Sequence, residues 1–276
     1  MGQRLFSTLL LWAIVGTTVG YFRTEGALVL ITLLSVLTLR EFYQLMHASG
    51  YDPFDKFGIA LGGFITLGPW LQIQFGWSAA LLLPLGVIVF AIRLLGERTP
   101  ENRVESLSST LLGLAYVPVM LAYLVAIVTP VPGDTISSSG RLLLCLWLII
   151  VTKFCDMGAL ISGLAFGRTK MSPQISPKKT WEGAAGGVVL AMGAGAFVAW
   201  LARDYFPLHM TPVTAAFMAV PIALIGIVAD LVESVLKRRA QMKDSGSTIP
   251  GIGGMFDLSD SVILAAPIGY FLFRLP

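Results

Sequence analysis

Charge is scarce in this chain of 276 residues. Only 13% of them are Asp, Glu, Lys or Arg, against about 25% in an ordinary soluble domain. Histidine and cysteine are scarcer still, with two of each. Cys145 and Cys155 fall in one apolar run, ten residues apart. At about 1.5 Å of rise per helical residue they are too distant to bridge. That excludes a disulfide framework and a thiolate metal site. His47 and His209 are isolated, so no imidazole cluster for zinc is available. No loop is long enough to bury a core of its own, which argues against a separate soluble domain. The apolar runs do not alternate in the short segments of a transmembrane barrel. A net charge of +3 is too small to argue for a nucleic-acid partner.

What the chain has is apolar length. It is 55% hydrophobic, with a mean hydropathy of +0.79. Runs near the roughly 20 residues needed to cross a bilayer recur throughout. The expected fold is all-α, a polytopic integral membrane protein with about nine spans, near 5–22, 27–46, 57–73, 78–95, 107–128, 141–166, 181–202, 212–236 and 258–274. The first run is long and no small-x-small cleavage site follows it, so it reads as a retained helix rather than a signal peptide. The even-numbered links hold Lys56, Arg98, Arg103, Arg168, Lys170, Lys178, Lys179, Lys237, Arg238, Arg239 and Lys243, whereas the odd ones hold little beyond Arg23 and Arg203. The positive-inside rule then makes the even links and the N-terminus cytoplasmic and puts the C-terminus outside. Polar content is uneven. Residues 1–130 read as a scaffold portion, and residues 131–276 as the working portion of one continuous membrane domain.

Several charges fall where the membrane should be. Lys153 and Asp156 sit mid-span, three residues apart on one helix face. Such residues usually face a partner or a watery cavity, because exposure to lipid is costly. They read either as a self-neutralising pair or as a polar site. In the eighth span Asp230, Glu233 and Lys237 form one stripe. Arg238 and Arg239 beside it can simply snorkel to headgroups. Asp257 and Asp260 open the ninth span behind the glycine-rich "PGIGGMFDLSD". Two acids three apart at a helix start are a capping pattern, and taken alone they read equally as caps. Together with Asp230 and Glu233 they read otherwise. A loop of about twenty residues can fold the two helix ends together, and converging carboxylates repel unless a cation sits among them. All-oxygen ligation favours Mg²⁺ or a similar hard ion.

The sixth link contains "SPKKTWEG". Ser176 is expected at an N-cap and Pro177 at the first helical position, with Lys178 and Lys179 in the first turn. A helix N-terminus with two lysines is an anion site suited to phosphate; the alternative is a basic loop touching acidic lipid. Gly183, Gly186 and Gly187 permit close helix approach. Phosphate-binding cations and a carboxylate-held Mg²⁺ form a kit for phosphoryl or nucleotidyl transfer. Its position at the cytoplasmic membrane surface points to one lipid substrate and one nucleotide.

"CDMGALISGLAFGRTKMSPQISPKKTWEG" and "ADLVESVLKRRAQMKDSGSTIPGIGGMFDLSDS" resemble the phosphatidate cytidylyltransferases, also called CDP-diacylglycerol synthases. The long family signature runs here from Ser234 through Lys237, Arg238, Lys243, Asp244, Gly246, Pro250, Gly251, Gly253 and Gly254 to Asp257 and Asp260. "REFYQLM" at Arg40 is also similar to the family. Ile252 stands where the family has a histidine and Leu258 where it has an arginine. The resemblance implies a magnesium-dependent transfer of CMP from CTP to phosphatidate, with pyrophosphate leaving. It also implies a potassium ion as second cation, a homodimer, and residence in a bacterial cytoplasmic (inner) membrane with the site facing the cytoplasm. By motif position, it implies Asp230 and Asp257 as metal ligands with Asp260 close by, and Asp156 and Asp244 in support. Lys178, Lys179, Lys237, Arg238 and Lys243 are implied as phosphate contacts, with Ser176 beside them. The competing readings are a related CTP-dependent enzyme, such as a polyprenol kinase or a CDP-archaeol-type synthase, and an ion-coupled transporter.

Overall fold

The computed structural model describes residues 2–96, 103–133, 136–249, 251 and 253–275. Arg98, Pro250 and Ile252 lie outside the described residues. The elements are α1 (Gly2–Ala48), α2 (Asp55–Phe75), α3 (Leu82–Gly96), α4 (Arg103–Tyr116), α5 (Pro118–Val128), α6 (Ser138–Phe166), β1 (Lys170–Ser172), β2 (Ser176–Thr180), α7 (Trp181–Leu201), α8 (Pro212–Arg239) and α9 (Met255–Leu272). A short 3₁₀ turn, Ala79–Leu81, leads into α3.

Among the described residues, seven helical stretches are long and apolar enough to cross a membrane: Ala13–Ala48, Ala79–Gly96, Arg103–Val128, Ser138–Phe166, Trp181–Leu201, Pro212–Arg239 and Met255–Leu272. The chain is a multi-pass, predominantly helical membrane protein. The count differs from the nine expected for two reasons. The first two expected spans run as one helix, α1, broken at Arg23 (φ 48°, ψ −120°). Just past that break Gly26 lies against the preceding turn, where a Cβ would stand 2.5 Å from the Thr18 carbonyl oxygen. The third expected span is α2, whose sequence is diluted by four glycines, Pro69 and two glutamines.

The chain divides into two compact units. One is Met1–Thr129 with Leu236–Ser259, and the other is Pro130–Val235 with Asp260–Pro276. In the first, α1, α2, α4 and α5 pack on one another. The Tyr43 hydroxyl donates to the Thr110 carbonyl at 3.0 Å, and Thr110 Oγ1 accepts from the Phe54 N–H at 2.8 Å. Ser35 and Thr66 are hydrogen-bonded at 2.7 Å. These buried hydroxyls are thus satisfied within the apolar interior, as a membrane core demands. Phe42, Tyr116 and Phe256 form a ring cluster with centroids about 6 Å apart.

In the second unit α6 and α7 pack closely along their length. Glycine makes this possible, since a Cβ on Gly158 would lie 2.8 Å from Leu190 Cβ and 2.9 Å from the Gly186 carbonyl oxygen. Trp147, wholly buried, donates its indole N–H to the Gly195 carbonyl at 2.9 Å.

Between α6 and α7 the chain forms an antiparallel hairpin, β1 with β2, pairing Lys170 with Thr180 and Ser172 with Ser176. This corrects the expected helix start. Ser176 is a strand residue rather than an N-cap, and neither Lys178 nor Lys179 lies in a helical turn. The N-cap is Thr180, extended at φ −128°, ψ 154°, whose side chain accepts from the Gly183 N–H. β-Branched Thr180 suits a strand end, and Pro177 is tolerated because a two-stranded sheet consists of edges. Trp181 N–H donates to the Thr169 carbonyl, and the Glu182 carboxylate accepts from the Arg168 and Thr169 N–H groups. The hairpin and the first turn of α7 are thereby locked together.

Candidate active site

Two polar constellations are built, one in each unit. The first belongs to the unit Pro130–Val235 with Asp260–Pro276. Its base is α6, where helical spacing sets Lys153 and Asp156 on one face. Lys153 Nζ lies 3.3 Å from Asp156 Oδ2 and 3.7 Å from Asp260 Oδ1. It donates to Ser261 Oγ at 3.0 Å, and that hydroxyl donates onward to Asp156 Oδ2 at 3.1 Å. One ammonium therefore holds two carboxylates and a serine.

Around this base three carboxylates converge. One oxygen each from Asp230, Glu233 and Asp260 lies within 4.8 Å of the others. Glu233 is 2% exposed and Asp260 8%, so two of the three are shielded from solvent. Buried carboxylates this close favour a cation among them, and a set of hard oxygens fits Mg²⁺ better than a softer metal. Lys179 reaches the same group. Lys178 is exposed and Lys179 half-buried, and Lys179 Nζ lies 2.7 Å from Asp230 Oδ2. That Nζ is buried and makes no aligned hydrogen bond. The contact is ionic, since an ammonium attracts a carboxylate without needing alignment.

The second constellation belongs to the unit Met1–Thr129 with Leu236–Ser259. Asp257, in the first turn of α9, accepts from Lys237 Nζ at 3.0 Å, from the Ser245 N–H at 3.1 Å and from the Gly254 N–H at 2.8 Å. The last is the backward reach of a capping acid to the residue before its helix. The expected pair, Asp257 as N-cap with Asp260 three residues on, is corrected: α9 begins at Met255, so Asp257 is its third residue and Asp260 lies past the first turn. Asp257 caps backward to Gly254, which is only one of its three donors named here. Gly253 has φ +130°, and a Cβ there would meet Asp257 Oδ2 at 2.6 Å. Only glycine fits that turn.

Of the residues singled out from sequence, Asp156, Asp230, Asp260 and Lys179 are thus assembled in one unit, and Lys237 and Asp257 in the other. Lys178, Arg238, Lys243 and Asp244 are exposed, and Ser176 and Leu258 are half-buried. Glu233, read in the sequence as part of a stripe and left out of the motif's ligand set, is a full member of the acidic group. Glu41, which stands in the family-like "REFYQLM" but has no role assigned from sequence, is a further carboxylate of the unit that holds Asp257. It is 3% exposed and accepts from Ser245 Oγ at 3.0 Å, from the Phe256 N–H at 2.9 Å and from Thr248 Oγ1. A carboxylate inside an otherwise apolar run was the available signal.

A model of the cytidylyltransferase family matches residues 2–275. The chain is 31% identical over 265 residues to a phosphatidate cytidylyltransferase of Synechocystis sp., covering 87% of this chain and 86% of the relative. It is 31% identical over 215 residues to a phosphatidate cytidylyltransferase of Rickettsia bellii, covering 75% and 87%. It is also 31% identical over 285 residues to a chloroplastic phosphatidate cytidylyltransferase of Arabidopsis thaliana, covering 95% and 70%.

Proposed function

The chain belongs to the cytidylyltransferase family, and from that premise we propose that it is a phosphatidate cytidylyltransferase. It transfers CMP from CTP to phosphatidate, giving CDP-diacylglycerol and pyrophosphate for membrane phospholipid synthesis. The observation that carries this reading beyond the family is the convergence of Asp230, Glu233 and Asp260 within 4.8 Å, with Lys179 on Asp230 and Lys153 on Asp260.

In this reaction an oxygen of the lipid phosphate forms a bond to the α-phosphorus of CTP. The bond from that phosphorus to the bridging oxygen of the β-phosphate breaks, and its electron pair leaves with pyrophosphate. The lipid phosphate is already a nucleophile, so no side chain need become one. What the protein contributes is positioning and charge. Asp230, Glu233 and Asp260 would hold Mg²⁺, which when bound neutralises charge on the transferred phosphorus and its leaving oxygen. Lys153 keeps Asp156 and Asp260 oriented through its contacts with both. Lys179 provides a cation at the inner edge of the hairpin, where an incoming phosphate can share it with Asp230. Asp257 and Asp244 as catalytic carboxylates, Lys178, Lys237, Arg238, Lys243 and Ser176 as substrate contacts, a second K⁺ and a homodimer are carried here by the motif resemblance.

Nine crossings are part of this proposal, with the two segments of α1 counted separately and α2 added to the seven apolar helices. The basic residues of the even links then face the cytoplasm, where CTP is available. The orientation rests on the charge distribution, and a bacterial inner membrane on the family resemblance.

The test is an assay of the purified protein in detergent with phosphatidate, Mg²⁺ and CTP labelled in its α-phosphate. Labelled CDP-diacylglycerol and pyrophosphate should appear in equal amounts. Folded protein that forms neither overturns the reading, and release of CDP with a phosphorylated lipid would make the protein a kinase instead.

A further inference from the structure

We propose that Glu41 is a positioning residue for the transfer reaction, acting through Ser245 on Asp257. As a statement about catalysis it rests on the function proposed above; as a statement about the loop it stands on geometry alone. Glu41 belongs to α1, far in sequence from the signature, yet its described hydrogen-bond partners all lie in residues 245–256. Oε2 accepts from Ser245 Oγ and the Phe256 N–H, and Oε1 accepts from Thr248 Oγ1. Gly246 and Gly254 lie directly against the same carboxylate. A Cβ on Gly246 would stand 2.7 Å from Oε1, and one on Gly254 would collide with Oε2.

Ser245 joins this carboxylate to a second one. Wholly buried, it gives its hydroxyl hydrogen to Glu41 and its N–H to Asp257. Its Oγ accepts in return from the Asp257 N–H at 3.3 Å. Asp257 also takes Lys237 Nζ. The result is a chain of contacts, Glu41 to Ser245 to Asp257 to Lys237, inside one compact unit. A glycine-rich loop is mobile unless tied down, and an apolar residue at position 41 would fill space without directing the loop. A buried carboxylate does direct it, because three converging donors admit one arrangement.

The test uses the full-length protein in detergent, with three readouts: kcat and KM for CTP and phosphatidate, hydrogen exchange of amides 245–249, 251 and 253–257, and Tm. Glu41→Ala should lower kcat about ten- to a hundred-fold while both KM values stay within about three-fold, as loss of a transition-state arrangement requires. The loop amides should exchange faster, with those of α2, α4 and α5 unchanged. Glu41→Gln should keep kcat within about five-fold, because its carbonyl oxygen can still accept from Ser245 and Phe256. Ser245→Ala added to Glu41→Ala should cost less than Ser245→Ala alone, since the two act in series. Wild-type kcat with a protected loop in Glu41→Ala, or fully additive effects, would overturn the proposal. Should Glu41→Ala fail to fold, Glu41→Asp, which withdraws the carboxylate by one methylene, carries the test, and unchanged turnover and exchange would refute it. A wild-type protein with no transferase activity would refute the catalytic role and the function together, while exchange at the loop would still decide whether Glu41 anchors it.

Discussion

Lys179 Nζ stands 2.7 Å from Asp230 Oδ2. The lysine comes from the inner edge of β2 and the aspartate from α8. Asp230 also belongs to the group of converging oxygens with Glu233 and Asp260. The hairpin therefore delivers one cation to the place where three acids meet, while its neighbour Lys178 is turned to the exterior.

The two adjacent lysines should consequently behave differently. Lys179→Ala should lower kcat/KM by about ten-fold or more, and Lys178→Ala by less than about three-fold. Steady-state kinetics with varied CTP checks this. Equal losses would mean that the contact with Asp230 does not set their roles apart.

Glu233 separates the structural ligand set from the motif-based one. A ligand that binds the folded state raises Tm, so millimolar Mg²⁺ should stabilise the wild-type protein in a detergent melt. Glu233→Gln and Asp260→Asn should each remove most of that shift. A wild-type shift in Glu233→Gln would remove Glu233 from the ion site.

Asp257 has a structural duty that is measurable apart from catalysis. Asp257→Ala leaves the Ser245 and Gly254 N–H groups without their acceptor. A buried donor left unsatisfied costs about 1–3 kcal/mol. The variant should lose stability by about that amount along with its activity. Unchanged Tm would show that water replaces the carboxylate.

Packing between α6 and α7 offers a test that does not involve the site. Gly158→Val would push a side chain into Leu190 and the Gly186 backbone, and overpacking of this kind costs about 1–3 kcal/mol. Gly193→Ala, on α7 with nothing within 4 Å of its added Cβ, should instead stabilise the helix by about 0.5–1 kcal/mol. Thermal melts of both variants in the same detergent decide it.

Residues differ in how far the sequence alone fixes their place. Lys153 with Asp156 was legible because helical spacing is local and a charge in an apolar run stands out. The start of α7 was misplaced because "SPKK" fits an N-cap pattern as well as a strand. The choice was made by hairpin pairing with Lys170–Ser172 and by Glu182 accepting from Arg168 and Thr169, neither of which spacing reveals. The role of Glu41 within "REFYQLM" is not legible because its partners lie more than 200 positions away. Leu258 is half-buried, and nothing in the structure explains its departure from the family pattern.

The amino-acid sequence by itself determined the membrane class, the helical fold and the polar residues available for chemistry. Those follow from composition and from the 3.6-residue period, which are properties of contiguous segments. Tertiary structure alone decided which carboxylates meet: Asp230, Glu233 and Asp260 as one group, and Asp257 held with Ser245 and Lys237. It also decided that Glu41 anchors the signature loop. Convergence of side chains from separate helices is set by how those helices pack, and in this chain glycines at Gly158, Gly187, Gly246 and Gly254 permit the close approaches that bring them together.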